Sequence, residues 1–405
     1  MELLRGNLVV GQSGGPTAVI NASLAGVVRE ALRHEAIARI LGMRHGIEGL
    51  LREDLVDLEQ ESAETIERLR TTPSAALGSC RHKLSEADYE RALQVLRAHE
   101  IRYFIYIGGN DSADTSHRLA QLAALEDYDL RVIGVPKTVD NDLVETDHCP
   151  GHPSVARWLA VSVRDAGLDT AAIGVVDTVK VIETMGRDTG WITAATALAR
   201  ERPGDPPHLI YLPERPFNRE TFLADVERVY RERGHVVVTV CEGLKDENGN
   251  YVSASRREVD VDRFGHAQLG GVGAVLCDLV ATGLGLKARF DKPGTIQRVS
   301  SLLASPVDVD EAERVGQEAV RQAVAGQSGF MVSIVRESDE PYHSALGLVP
   351  LERVANAVRP VPDEFIAAAG NDVTPAYLTY IRPLIGPPLP AYARLAGARV
   401  AARPV

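Results

Sequence analysis

Short apolar strands that alternate with helices and end in glycine-bearing loops are the feature that most constrains this fold. The pattern predicts strands over residues 7–10, 102–107, 131–135, 172–176, 208–212 and 236–240. Helices are predicted over residues 18–32 and from about Asp114. This alternation is typical of a parallel, doubly wound sheet. We therefore expect an α/β fold whose ligands bind at the carboxyl ends of the strands.

Composition excludes several other classes of protein. The 405 residues carry a net charge of -12, which argues against binding nucleic acid through a basic face. The four cysteines have no CxxC spacing, so neither a disulfide framework nor a zinc site is indicated. No apolar run approaches the roughly 18 residues that a membrane span needs. The expectation is a soluble cytoplasmic protein that acts on small molecules.

Two glycine-bearing loops follow predicted strands. Residues 11–16, GQSGGP, offer backbone N–H groups to a phosphate, although the same residues suit a plain tight turn. Residues 108–112, GGNDS, place Asn110 and Asp111 at the end of a strand. Their oxygens suit Mg²⁺, which keeps several waters and takes few protein ligands. The alternative for this second loop is a cluster that caps the following helix.

The segment PKTVDND at residues 136–142 places one cation and two carboxylates directly after an apolar strand. In phosphoryl transfer a carboxylate accepts the proton of the attacking hydroxyl, and a cation stabilises charge on the phosphoryl oxygens. A polar loop rich in turn-forming residues is the alternative. Lysine is rare in this chain, with six among 44 basic residues, which favours a specific role for Lys137.

Three later segments carry further candidates. Arg187 in ETMGRD could hold a phosphate or form a surface salt bridge. Glu242 follows an apolar strand and could bind sugar hydroxyls or be an ordinary loop residue. Arg289 and Arg298 flank a glycine turn and could form a phosphate clamp or be two solvated arginines.

Taken together, these segments resemble the phosphofructokinase family. The motifs SGG, GGxxS, PKTVDND, ETMGR and GTIQR occur in the family's order between residues 7 and 298. Each motif is weak alone, but the ordered set is specific. The resemblance implies a two-lobed phosphofructokinase-like fold with doubly wound, mostly parallel sheets. It also implies phosphorylation of fructose 6-phosphate at its 1-hydroxyl.

The resemblance assigns roles to individual positions. It implies that Asp140 is the general base, with Lys137 and Arg187 as the other catalytic residues. Contacts to the sugar phosphate are implied for Thr138, Asp140, Met185, Gly186, Arg187, Glu242, Arg289, Thr295 and Arg298. Contacts to the phosphoryl donor are implied for Gly14, Gly15, Arg81, Asp111 and Lys137. A Mg²⁺ site is implied at Asn110, Asp111 and Asp142.

Two positions distinguish the donors. Relatives that use ATP typically have glycine where this chain has Asp111 and Lys137, and the pair together resembles the pyrophosphate-dependent branch. A carboxylate at Asp111 would repel the α-phosphate of a nucleotide, while Lys137 supplies charge to a smaller donor. An ATP-dependent enzyme and a non-catalytic sugar-phosphate-binding regulatory protein are the alternatives.

The chain also departs from the family pattern. Asn110 stands where many relatives have Asp, and Thr295 replaces a common His or Tyr. Thr178 stands where bacterial ATP-dependent members carry an arginine that is contributed across subunits. These changes leave room for sedoheptulose 7-phosphate as a second acceptor.

The expected domain organisation has three parts. Residues 1–135 are predicted to form a donor-binding lobe, with a returning segment near 255–305. Residues 136–254 are predicted to form a sugar-phosphate lobe. Residues 306–405 are expected to complete both lobes with C-terminal helices and a proline-rich tail. A homodimer or homotetramer is expected.

Overall fold

The computed structural model describes residues 4–174, 176–255, 271–395 and residue 400. The strands in these residues are β1 (Gly6–Gln12), β2 (Ile37–Met43), β3 (Leu55–Asp57), β4 (Ile101–Gly108), β5 (Arg131–Pro136), β6 (Val179–Thr184), β7 (Leu209–Tyr211), β8 (Val236–Cys241), β9 (Ala288–Asp291), β10 (Phe330–Asp339) and β11 (Tyr342–Pro350). They form two sheets, which confirms the predicted α/β fold.

The helices connect these strands and cover the sheets. They are α1 (Ile20–Ala31), α2 (Ile47–Leu51), α3 (Ala63–Leu69), α4 (Glu86–Ala98), α5 (Asn110–Leu125), α6 (His152–Ile173), α7 (Trp191–Ala195), α8 (Arg219–Arg233), α9 (Val272–Leu284), α10 (Ile296–Val299), α11 (Pro306–Val324), α12 (Leu351–Val354) and α13 (Pro375–Ile381). Among the described helices, none is long and apolar enough to cross a membrane.

The first sheet has the strand order β11-β10-β5-β4-β1-β2-β3. Its five central strands are parallel, and β3 and β11 pair antiparallel at the two edges. Neighbouring residues of a central strand pack into opposite cores: Phe104 lies in one and Ile105 in the other. Helices cover both faces, which explains why these strands are continuous apolar runs.

The second sheet is wholly parallel, with the order β7-β8-β6-β9. It corrects the predicted strand over 172–176: Ala172 and Ile173 end the long helix α6, and the strand begins at Val179. A short apolar run does not distinguish a strand from the end of a buried helix. The helix expected from Asp114 begins four residues earlier, so Asp111 lies in its first turn.

Strand pairing also corrects the expected returning segment near 255–305. Strand β9 pairs with β6 of the second sheet, so the described part of that segment up to Asp291 lies with the second lobe. The strand that returns to the first sheet is β10, which pairs with β5. Residues 256–270 lie outside the described residues. In the C-terminal region, α13 buries Tyr377 and Ile381 in a core with Trp191.

Candidate active site

Loops from both sheets meet around one cavity of about 200 Å³. It lies at the carboxyl ends of β1, β4, β5 and β6, as the strand pattern predicted. The cavity is lined by Gly14, Gly15, Arg81, Gly109, Asn110, Asp111, Lys137, Thr138, Val139, Asp140, Asp142, Met185, Gly186, Arg187, Asp188, Thr189, Arg298 and Val358. Most of the predicted site residues are therefore neighbours in space.

The glycines after β1 make room for two cations. Gly14 has φ of +76°, and a Cβ there would lie 3.0 Å from the Nζ of Lys137. A Cβ on Gly15 would lie 2.6 Å from Nη1 of Arg298. Side chains at either position would push a cation away from the cavity. The loop therefore does more than turn the chain, because it lets two positive charges converge.

A second loop is fastened to this one and carries Arg81. The Gly14 N–H donates to the carbonyl of Cys80 at 3.2 Å. The Ser79 hydroxyl donates to the carbonyl of Gly14 at 2.6 Å. These bonds place Arg81 at the wall of the cavity, beside the predicted donor glycines.

Lys137 is buried, with 4% of its surface exposed. Its Nζ donates to the carbonyl of Gly15 at 3.1 Å. Burial, and then the positive charge of Arg298, lower the pKa of Lys137 to about 8. Both effects destabilise the ammonium form of Lys137. An incoming anion would offset them, because a nearby negative charge stabilises the ammonium.

Asp140 lines the same cavity as these cations. Burial raises the pKa of its carboxyl group, while Arg187, Lys137 and Arg298 act in the opposite direction. Its backbone N–H donates to the hydroxyl of Thr138 at 3.2 Å, which fixes the start of the loop. A carboxylate with a raised pKa is a stronger base than one in water, and this suits a group that must accept a proton.

The residues assigned to Mg²⁺ lie side by side. The Nδ2 of Asn110 donates to Oδ2 of Asp142 at 3.3 Å, and Oδ1 of Asn110 is buried without a hydrogen-bond partner. Burial, and then repulsion from Asp140, raise the pKa of Asp142 to about 6. No group of three or more His, Cys, Asp or Glu side chains arranged for metal binding occurs in the described part of the chain. The unpartnered oxygen of Asn110 beside the Asp142 carboxylate fits a cation held by few protein ligands, with water and phosphate completing its shell.

The loop after β6 brings Met185, Gly186 and Arg187 to the cavity. Arg187 adopts a left-handed backbone conformation, with φ of +52°. A Cβ on Gly243 would lie 1.5 Å from the carbonyl oxygen of Arg187, so only glycine permits this approach of the β8 loop. The backbone around Arg187 is thus held from two strands.

Glu242 does not line the cavity. Burial, and then the nearby Asp140 carboxylate, raise its pKa to about 7, and Lys292 opposes the shift. Glu183 accepts hydrogen bonds from the Gly271 and Gly273 N–H groups, at 3.0 and 2.8 Å, and pairs with Lys292 at 2.9 Å. The start of α9 and Lys292 therefore hold Glu183 in place.

Two more of the predicted sugar-phosphate residues do not line the cavity. Arg289 lies on β9, at the edge of the second sheet, where its Nε pairs with Asp177 at 2.8 Å. Thr295 is exposed at the start of α10. Within the GTIQR motif, Gln297 turns inward and accepts the Met185 N–H at 3.2 Å. Of the five residues in the motif, only Arg298 lines the cavity.

Some lining residues were missed in the sequence. The Thr189 hydroxyl donates to the carbonyl of Asp140 at 3.2 Å and so connects the loops that follow β5 and β6. Val358 reaches the cavity from the C-terminal region. Neither residue carries a local signal, because a single threonine or valine outside a motif gives no indication of its distant neighbours.

Comparisons with known proteins agree with this geometry. The Phosphofructokinase family profile matches residues 7–323. A curated relative from Xanthomonas campestris pv. campestris, named pyrophosphate–fructose 6-phosphate 1-phosphotransferase, is 45% identical over 95% of this chain and 92% of its own length. The relative of the same name from Halomonas elongata is 45% identical and covers 97% of each chain.

A solved structure resembles the whole chain. The pyrophosphate-dependent phosphofructokinase from Nitrosospira multiformis superposes with a TM-score of 0.87, at 40% identity, over 98% of both chains. The sequence match, the superposition and the grouping of the motif residues around one cavity agree. The chain belongs to the phosphofructokinase family.

Proposed function

We propose that this chain is a pyrophosphate-dependent phosphofructokinase that transfers a phosphoryl group reversibly from diphosphate to the 1-hydroxyl of fructose 6-phosphate. The products are fructose 1,6-bisphosphate and phosphate, which suits the reaction to both glycolysis and gluconeogenesis. One observation carries the proposal: Asp111 and Lys137 line the same cavity as Asp140. The names of the relatives that match nearly the whole chain support it.

The proposed chemistry uses Asp140 as the general base. Its carboxylate accepts the proton of the 1-hydroxyl as that oxygen attacks one phosphorus atom of diphosphate. The bond from this phosphorus to the bridging oxygen breaks, and phosphate leaves. In the reverse direction Asp140 returns the proton to the sugar oxygen.

The cations have separate proposed roles. Lys137 and Arg187 stabilise the charge on the transferring phosphoryl oxygens. Arg298 holds the 6-phosphate, which does not react. Gly14, Gly15 and Arg81 bind the diphosphate. Mg²⁺, held near Asn110, Asp111 and Asp142, would neutralise part of the donor's charge when bound.

Donor selection is proposed to depend on charge and space at Asp111. Two like unit charges about 4 Å apart, at an effective dielectric constant near 20, repel by about 4 kcal/mol. Diphosphate ends before the place where a nucleotide would continue, so it escapes this repulsion. The proposal extends to assembly as a homodimer or homotetramer and to action in the cytoplasm.

Turnover with each donor tests the proposal directly. The purified chain is supplied with fructose 6-phosphate, Mg²⁺ and either diphosphate or ATP, and fructose 1,6-bisphosphate is measured. We expect turnover with diphosphate and little with ATP. Preference for ATP would support the ATP-dependent alternative. Binding of fructose 6-phosphate without turnover on either donor would support a regulatory protein.

A further inference from the structure

The catalytic loop contains a backbone conformation that needs external support. Asn141 lies between the two carboxylates Asp140 and Asp142 and has φ of +56°. Asparagine adopts this left-handed region more readily than other residues that have a Cβ, but the conformation still costs free energy that the surrounding contacts must offset. Because the two carboxylates flank Asn141 directly, its conformation sets the directions in which both side chains leave the backbone.

Three contacts hold Asn141. Its Oδ1 accepts the N–H of Cys149 at 2.9 Å, within the same loop. Its Nδ2 donates to the hydroxyl of Tyr380 at 3.0 Å. Its carbonyl accepts from the guanidinium of Arg359 at 3.0 Å. Two of the three partners therefore come from the C-terminal region, beyond residue 323, where the family match ends.

Arg359 forms hydrogen bonds with the loop at Asp142 and again at residues 146–147. Its backbone N–H donates to the carbonyl of Asp142 at 2.8 Å. Its guanidinium also donates to the carbonyls of Thr146 and Asp147, at 2.6 and 2.7 Å. The same group lies over the ring of Trp191, 4.7 Å from the centroid. A planar donor with several N–H groups is suited to bridging carbonyls in this way, and a lysine is not.

Tyr380 adds a second connection from α13. Its hydroxyl accepts from Asn141 and donates to the carbonyl of Asp147 at 2.9 Å. Its ring packs against Trp191 and Phe365, with centroid distances of 5.5 and 5.4 Å. The hydroxyl is therefore fixed by aromatic packing before it meets the loop.

We propose that Arg359 and Tyr380 are positioning residues that hold the 140–142 turn and so align Asp140 with the acceptor hydroxyl. Neither side chain lines the cavity, so each acts through Asn141 and the loop backbone. The kinetic reading of this inference rests on the proposed function. Loss of either contact should lower kcat and leave KM nearly unchanged, because the groups proposed to bind both substrates stay in place.

Tyr380→Phe is the sharpest variant, and Tyr377→Phe is its matched control. Tyr377 lies one turn earlier on α13, and its hydroxyl donates to the carbonyl of Trp191 at 3.0 Å, away from the catalytic turn. Misplacing a catalytic group by about 1 Å can cost about a hundredfold in rate, so we expect Tyr380→Phe to lower kcat by about tenfold or more. Tyr377→Phe should stay within about twofold.

Either of two kinetic outcomes would overturn the proposal. Tyr380→Phe could retain the kcat of the unmodified enzyme, or both tyrosine variants could lose kcat equally, which would indicate a general effect on packing. Asn141→Gly adds a second arm, because glycine adopts the left-handed conformation without the side-chain contact. In that background Tyr380→Phe should lower kcat by less than it does in the unmodified enzyme, because only its bond to the Asp147 carbonyl is left to lose. An undiminished loss there would mean that Tyr380 acts by another route.

Hydrogen exchange gives a readout that does not need turnover. Amides of residues 138–149 should exchange faster in Tyr380→Phe and in Arg359→Lys than in the unmodified protein, and not in Tyr377→Phe. If the unmodified enzyme failed to use diphosphate, the proposed function would fail while this arm still tested the positioning role. Unchanged hydrogen exchange in both Tyr380→Phe and Arg359→Lys would overturn the positioning role.

Discussion

Two clusters of buried charge lie within a few residues of each other and behave in opposite ways. The site cluster is Lys137, Asp140 and Asp142. The His148 cluster is Asp147, His148, Glu311 and Arg336. Asp147 and His148 follow the site loop directly, Glu311 lies on α11 and Arg336 lies on β10. Both are withdrawn from water, so burial alone does not explain the difference between them.

In the His148 cluster each charge has close partners of opposite sign. The imidazole bonds Asp147 at 2.8 Å and Glu311 at 2.6 Å, and Arg336 donates to Asp147 at 2.9 Å. Burial alone would lower the pKa of His148, but Glu311 and Asp147 raise it to about 9. Burial alone would raise the pKa of Asp147, but His148 and Arg336 lower it to about 2.

In the site cluster burial dominates and the pKa values move toward neutrality. Lys137 is lowered to about 8 and Asp142 is raised to about 6. The lesson is that buried charges paired with each other become costly to remove singly, whereas buried charges that still gain from a ligand mark a site. The following predictions test that distinction, from the largest expected effect to the smallest.

Asp140→Asn should abolish most turnover without unfolding the protein. Removal of a general base costs about 10²–10⁴ in rate, and asparagine keeps the size of the side chain. Steady-state kinetics with diphosphate measures the loss, and thermal unfolding measures stability. A variant that keeps most of its kcat would exclude Asp140 as the base.

Lys137→Met should depress turnover with diphosphate by about 10²–10³, comparable to removing a preorganised donor that stabilises transition-state charge. Stability should not fall, because burying the ammonium lowers its pKa and so opposes folding. A large drop in unfolding temperature with kcat intact would show that Lys137 acts as the charges of the His148 cluster do, by stabilising the folded protein.

Glu311→Gln should have the reverse signature. Removing one partner of a buried ion pair costs about 3–5 kcal/mol in the free energy of unfolding, while the folded enzyme should keep its kcat within about twofold. The raised pKa of His148 gives stability that is fully present below about pH 6.5 and is lost as pH rises through about 9. The difference in stability from the unmodified protein should therefore shrink across that range. A difference that grows toward pH 9 would contradict this assignment.

Asp111→Gly should have the smallest effect, a detectable gain in ATP use. The change removes a charge and a side chain from the place where the α-phosphate of a nucleotide would lie. Solvent and Mg²⁺ reduce the repulsion well below the roughly 4 kcal/mol given by Coulomb's law at 4 Å. Turnover with ATP, measured beside turnover with diphosphate, checks the gain. No ATP use at any concentration would show that Asp111 is not the sole barrier.

The sequence predicted the site better than it predicted the support around it. Gly14, Asp111 and Asp140 could be found because each follows a buried strand, and parallel strands end at one edge of a sheet. The order of the motifs then indicated the family.

The residues that support the loop carried no such signal. Arg359 and Tyr380 meet Asn141 across more than 200 residues of sequence, and no local pattern encodes such a contact. The pairing of His148 with Glu311 carried no local signal either, because the two residues are 163 positions apart. Arg289 was expected at the site from the family resemblance, but in this chain it lies on an edge strand and pairs with Asp177. Short apolar runs also misled the prediction at Ile173, where a helix ends.

The pH dependence of kcat/KM with diphosphate tests the central distinction most directly. The account predicts a bell-shaped profile, with an acid limb where the Asp140 and Asp142 pair takes up a proton and an alkaline limb near pH 8 where Lys137 loses one. Because Asp140 and Asp142 interact, the acid limb belongs to the pair. The alkaline limb should disappear in Lys137→Met, and both limbs should stay in Glu311→Gln. A profile that is flat from pH 5 to 9, or limbs that move in Glu311→Gln, would contradict the account.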